Sequence, residues 1–190
     1  TFIGGSAFSG CLSLTKIKIP LSVTSIEKNT FSGCSSLSEI DIPSSIAFIG
    51  ESAFSGCSSL TKIDIPSSVT SIKWNTFYEC SSLTNIVIPS TLVSIEYHAF
   101  FGCNSLTSVE IPSTVLTNNI KFDEDFGLFD NLKEIIVHLV MPSSVSQINK
   151  DIIKELFQKV PIITQIIIPS SITSIGEETY SGCSSLSRIE

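Results

Sequence analysis

The sequence predicts a repeat solenoid: a β-rich stack of about eight coils of 23 residues, with a parallel sheet and a short helical insertion. Three observations carry this. Phe8, Phe31, Phe54, Phe77 and Phe100 stand 23 residues apart, and Cys11 to Cys103, Leu14 to Leu106 and Pro20 to Pro112 keep the same step. Within each step, apolar and charged residues alternate with strand period. Charges of one coil oppose those of the next when coils stack in register. A unit this short cannot bury its own apolar face, so neighbouring coils must cover one another.

Phe54 to Ile72 serves as the reference coil. Leu60, Ile63 and Ile65 are spaced as in a leucine-rich repeat, with Lys62 and Asp64 alternating outward. Pro66 ends the strand because it lacks an N–H for the ladder. Ser67 and Ser68 form a turn, Val69 and Ile72 point inward on another side, and Ala53-Phe54 plugs the corner. Ser55-Gly56-Cys57 turns back toward the next strand; Glu79 replaces the glycine in one coil, so the turn does not demand glycine.

Two charge columns support parallel, in-register stacking. Lys16, Glu39 and Lys62 form one; Lys18, Asp41 and Asp64 form the other. The expected pairs are Lys16–Glu39, Glu39–Lys62 and Lys18–Asp41, while Asp41 beside Asp64 is a like-charge contact that the pattern does not explain.

The period loosens after Pro112. Phe126, Phe157 and Tyr180 continue the plugs, which brings their number to eight, and residues 113–160 form irregular repeats within a single 1–190 solenoid. One insertion spans about Leu116 to Asp125. In the other, Ile148, Ile152, Ile153, Leu156, Phe157 and Val160 fall at helical spacing, which predicts a short amphipathic helix from about Lys150 to Lys159, stopped near Pro161. It either caps a lengthened coil or protrudes as a recognition element. Both termini fall inside a repeat and no polar capping repeat is visible, so a fragment of a longer array is expected.

A 42% hydrophobic and only 15% charged chain can fill a core. Mean hydropathy is +0.38, yet no apolar run approaches the roughly 20 residues of a membrane helix. Net charge is −7 with no basic stripe, which argues against nucleic acid or an anionic membrane as a direct partner. The six cysteines occupy a column that takes Phe129 and Val160 in the irregular coils, so it reads as an apolar slot of buried, reduced thiols rather than disulfides or a metal site.

No catalytic, cofactor or metal constellation emerges. His98 reads as a solvated loop residue and His138 as part of the late-proline insertion; neither has a ligand at metal spacing. Asp123, Glu124, Asp125, Asp130 and Glu134 fail as a calcium loop, because Gly127 and Leu128 stand where a ligand and then a glycine are needed. The distinctive surface feature is aromatic. Trp74 and Tyr97 share a column after the inward isoleucine, Tyr78 and Phe101 share one after the plug, and Phe48 lies nearby in the preceding coil. Such residues dominate binding hot spots, which makes Trp74, Tyr78, Tyr97 and Phe101 the candidate contacts. The strand face, where Val87, Ile136 and Ile167 replace charged residues, is the second candidate.

The segments AFSGC at 53–57, SSLTKIDIPSSVTSI at 58–72 and TYSGCSSL at 179–186 resemble the BspA-like, treponemal-type leucine-rich repeat family. The resemblance implies a right-handed α/β solenoid without catalytic residues or cofactors. It also implies adhesion to host matrix or cell-surface proteins, at a cell surface or outside the cell. An intracellular, cytoplasmic scaffold for protein–protein interaction is the alternative.

Overall fold

The computed structural model describes residues 1–112, 134–138, 146–159 and 163–190. The insertion at Leu116 to Asp125, the plug at Phe126, the column residues Phe129 and Val160, and Pro161 lie outside them.

In chain order the described elements are β1 (Phe2–Ile3), β2 (Lys16–Lys18), β3 (Ser25–Ile26), β4 (Glu39–Asp41), β5 (Phe48–Ile49), β6 (Lys62–Asp64), β7 (Ser71–Ile72), β8 (Asn85–Val87), β9 (Ser94–Ile95), β10 (Ser108–Pro112), β11 (Glu134–His138), β12 (Gln147–Ile148), α1 (Lys150–Lys159), β13 (Gln165–Ile167), β14 (Ser174–Ile175) and β15 (Arg188–Ile189). They stack as the period predicts. The longer strands β2, β4, β6, β8, β10, β11 and β13, followed by the short β15, form one column, one strand per coil. The other two-residue strands form a second, and all described pairings are parallel.

The coils inside the stack bury their apolar sets inward. In β6 Ile63 is buried between exposed Lys62 and Asp64. Phe31, Phe54, Phe77, Leu37, Leu60 and Leu83 are wholly buried. The plugs form a continuous ring stack: Phe8 to Phe31 at 5.3 Å, then 5.4, 5.7 and 5.3 Å on to Phe100. The proline turns close as expected, with Val69 N–H donating to the Pro66 carbonyl at 2.9 Å.

All six cysteines are free. Cys34, Cys57, Cys80 and Cys103 are buried, and each thiol donates to the carbonyl of the preceding coil's plug phenylalanine at 3.0–3.2 Å. The slot is apolar in packing and also supplies a weak inter-coil hydrogen bond.

Three features depart from the sequence reading, and one decides between two alternatives it left open. First, the sheet is interrupted. β2 pairs with β4 and β6 continues through β8 to β15, but no ladder joins β4 to β6; the second column breaks at the same junction, between β5 and β7. Lys16 meets Glu39 at 2.8 Å as expected. Lys62 instead turns to Asp64 on its own strand at 3.0 Å, and Lys18 faces Asp41 in register without an ion pair. Continuous pairing would set Asp41 opposite Asp64, and opposed like charges destabilise a ladder. A groove of about 410 Å³ lined by Glu39, Asp41, Lys62 and Asp64 lies over this unladdered junction. The turn side stays joined: Asn29, Phe31 and Gly33 donate to the carbonyls of Glu51, Ala53 and Ser55 at 2.7–2.9 Å.

Second, the motif in coils six and seven aligns Ile135 with Ile166, yet β13 sets Ile166 beside Val137. The ladder slips by two residues, which keeps inward residues inward. Pro112 and His138 are register partners at the ends of β10 and β11, so Pro112 ends its strand from within and His138 belongs to a strand rather than an insertion.

Third, α1 spans the predicted residues, and of the two alternatives it packs onto a lengthened coil rather than protruding. Asn149 Oδ1 accepts the N–H groups of Asp151 and Ile152 at 3.1 and 3.2 Å, an N-cap. Ile153 and Leu156 are wholly buried, and Lys150 reaches Glu178 of coil eight at 3.9 Å.

Fourth, Glu79 does not relax the turn it occupies. Its φ is +55°, as left-handed as Gly33 and Gly56 at +71°. The sequence therefore keeps the conformation and accepts the side chain's strain, about 1 kcal/mol relative to glycine.

Gly50 has a different requirement. A Cβ there would stand 2.6 Å from the Lys28 nitrogen and 2.8 Å from the Glu27 carbonyl carbon. Both are backbone, so Gly50→Ala should force coils one and two apart and destabilise the chain by about 1–3 kcal/mol. A urea midpoint unchanged from wild type would refute that close approach.

Candidate protein-binding surface

The aromatic residues occupy the turns that leave β7 and β9 and the turns that follow the plugs Phe77 and Phe100. Lys73 Nζ meets Glu96 Oε1 at 2.8 Å, and the Trp74 N–H donates to Glu96 Oε2 at 3.2 Å, so the two turns are fastened side by side. The next residue in each turn, Asn75 or His98, is left-handed with φ +55° and +56°. Asn75 N–H then donates to the Tyr97 carbonyl at 3.3 Å.

This arrangement brings three of the four predicted residues into one cluster. Tyr78 and Phe101 stack at 5.4 Å with 14° between planes. Tyr97 joins them through His98, whose ring lies 3.6 Å from Tyr97, 5.0 Å from Phe101 and 6.3 Å from Tyr78. Trp74 shares the backbone frame, but its indole makes no ring contact among the described residues. The surface remains open: Trp74 is 49% exposed, Tyr97 and Phe101 40% each.

His98 corrects the solvated-loop reading. It is half-buried at the centre of the cluster, because its left-handed backbone sits between Tyr97 and Phe101 on its own coil and beside Tyr78 of the coil before. The available signal was its column: Ser6, Asn29, Ser52 and Asn75 all hold positive φ, and a histidine among such residues is an added ring at a turn.

Phe48 does not join the cluster. It is exposed on β5, and with Phe2, Lys28 and Lys73 it lines a separate cleft of about 590 Å³. The second candidate surface is also divided. Val87, Glu110 and Ile136 share one register row, so a carboxylate separates the two apolar residues. Ile167 stands beside His138, outside that row.

Charge around the aromatic surface is acidic. Glu51 and Glu79 are exposed, and neither has an ion pair among the described residues, whereas Glu96 is taken up by Lys73. Among the described residues, no group of three or more His, Cys, Asp or Glu side chains is placed to hold a metal ion, and no helix is long and apolar enough to cross a membrane.

A sequence profile described as the BspA type leucine rich repeat region matches residues 1–124 and 124–190 in six copies. Among solved structures, the chain is similar to a leucine-rich repeat protein of T. pallidum, TpLRR, with 24% identity and a TM-score of 0.55 over 90% of this chain and 78% of that one. It is also similar to the pneumococcal vaccine antigen PcpA, with 21% identity and a TM-score of 0.59 over 86% of this chain and 41% of that one. Both are likenesses of fold. No curated protein matches the sequence.

Proposed function

The chain belongs to the BspA-type leucine-rich repeat family, and from that premise we propose that it is a non-enzymatic protein-binding and adhesion module of a cell-surface protein. The observation that carries this reading is the open aromatic surface of Trp74, Tyr78, Tyr97 and Phe101, fixed across adjacent coils by the Lys73–Glu96 pair. Rigid aromatic side chains offer large contact area at low entropic cost, and a solenoid holds them in place without a partner. The proposed ligands are extracellular-matrix or cell-surface proteins.

A scaffold inside the cell is the second reading, favoured by six free cysteines, which suit a reducing compartment. Burial of four of them gives the surface reading its answer, since a buried thiol is shielded from oxidants. Labelling of the native protein on intact cells separates the two.

The binding test is a panel of matrix proteins and intact cells, read by fluorescence of Trp74. In Trp74→Ala with Tyr97→Ala, loss of two hot-spot residues should weaken a hit by about 30-fold, near 2 kcal/mol, at unchanged thermal stability. Full affinity in a stable double variant would move the contact elsewhere.

A further inference from the structure

The residue two places after the plug is left-handed in every described coil that shows the turn. It is glycine at Gly10, Gly33, Gly56, Gly102 and Gly182, and glutamate at Glu79 alone. A strained conformation held by a residue that suits it poorly points to a use for the side chain. Tyr78, directly before Glu79, stacks on Phe101, directly before Gly102. The Glu79 N–H donates to the Phe101 carbonyl at 2.7 Å, and a Cβ at Gly102 would lie 3.0 Å from Glu79 Cγ, so the glutamate side chain lies across the neighbouring turn beside the aromatic pair. Its carboxylate has no cationic partner among the described residues.

A free carboxylate and the negative faces of aromatic rings attract the same group, a cation. A planar guanidinium can lie on a ring and still hydrogen-bond a carboxylate, which an ammonium does less well. Glu51 and the net charge of −7 add a field of the same sign.

We propose that Glu79, Tyr78 and Phe101 form a receptor for a basic side chain, arginine in preference to lysine, presented by the protein partner. This rests on the adhesion reading and specifies the chemistry of its contact.

The test is an NMR titration of the whole chain with three blocked tripeptides, glycine-X-glycine, in which X is arginine, lysine or citrulline. Citrulline keeps the shape of arginine without its charge. The arginine peptide should give saturable shifts centred on Tyr78, Glu79, Phe101 and Gly102, the lysine peptide should bind more weakly, and citrulline should give no saturable shift. Glu79→Gln should weaken arginine binding by about tenfold. Glu79→Gly should do the same while raising the unfolding midpoint, since it relieves the left-handed strain. Equal binding by Glu79→Gln, or shifts spread over all acidic residues, would overturn the proposal. A matrix protein that depends on Trp74 and Tyr97 but not on Glu79 would leave the adhesion reading standing and remove only the receptor. Arginine binding as described, with no protein ligand on this surface, would do the reverse.

Discussion

Phe54→Ala should lower the unfolding free energy by about 3–5 kcal/mol. Its ring is wholly buried between Phe31 at 5.4 Å and Phe77 at 5.7 Å. Truncation removes the ring's transfer energy and two stacking contacts, and leaves a void that the turn cannot close. The turn is held by its own bonds: the Phe54 N–H donates to Thr76 and its carbonyl accepts from the Cys57 N–H. Stability in a stack is a sum of nearest-neighbour interfaces, so the cut also uncouples the coils on either side. Urea unfolding followed by both Trp74 fluorescence and far-ultraviolet circular dichroism should then show two transitions in place of one. A loss below about 1 kcal/mol would mean that the ring stack is not the spine of the fold.

Alkali should destabilise the chain through groups that carry no charge in the native state. Burial pushes the Cys57 and Cys103 thiols up to about 12, and the Cys80 thiol well above its ordinary 9.0. The unfolded chain loses these protons near pH 9 while the folded chain keeps them. The folded state thus binds more protons through this window, and stability falls as pH rises. The thiols cost nothing below pH 9, and their penalty grows until the folded thiols titrate near 12. Near pH 10 the three together withdraw roughly 4 kcal/mol. Deprotonation would also delete the S–H bonds to the carbonyls of Phe31, Phe54 and Phe77. Urea midpoints at pH 8 and 10 measure the slope, and replacing all three cysteines by alanine should flatten it. An equal slope in that variant would assign the alkaline loss to lysine and tyrosine.

The periodic part of the fold was legible because every coil meets the same surroundings. A position that repeats Phe or Cys reports one environment many times, and α1 was readable to its ends because its apolar spacing meets a coil that must bury it. The departures arise where columns mislead. Lys62 has Glu39 across the stack and Asp64 two residues along its own strand, and column reading does not rank them; the structure chooses Asp64. The two-residue slip at β13 preserves the face of every side chain, so alternation cannot register it. The aromatic columns predicted proximity correctly for Tyr78 and Phe101, but Trp74 stands apart from the other rings. The role of His98 depends on a left-handed turn that its serine and asparagine column mates only hint at.

The break between coils two and three gives the stack an asymmetric compliance. Both strand columns lack ladder bonds at that junction, whereas the turn side keeps its backbone bonds and the Phe31–Phe54 contact. Such a joint opens like a book, with the phenylalanine column as its binding and the strand faces as its pages. Under tension along the stack, the load at this point falls on the turn bonds and on the Ser68 hydroxyl, which donates to the Ser44 and Ile46 carbonyls. A shearing surface such as an adhesion contact would therefore deform the solenoid here first, and the aromatic surface, on the spine side of the joint, would keep its shape while the strand face gapes.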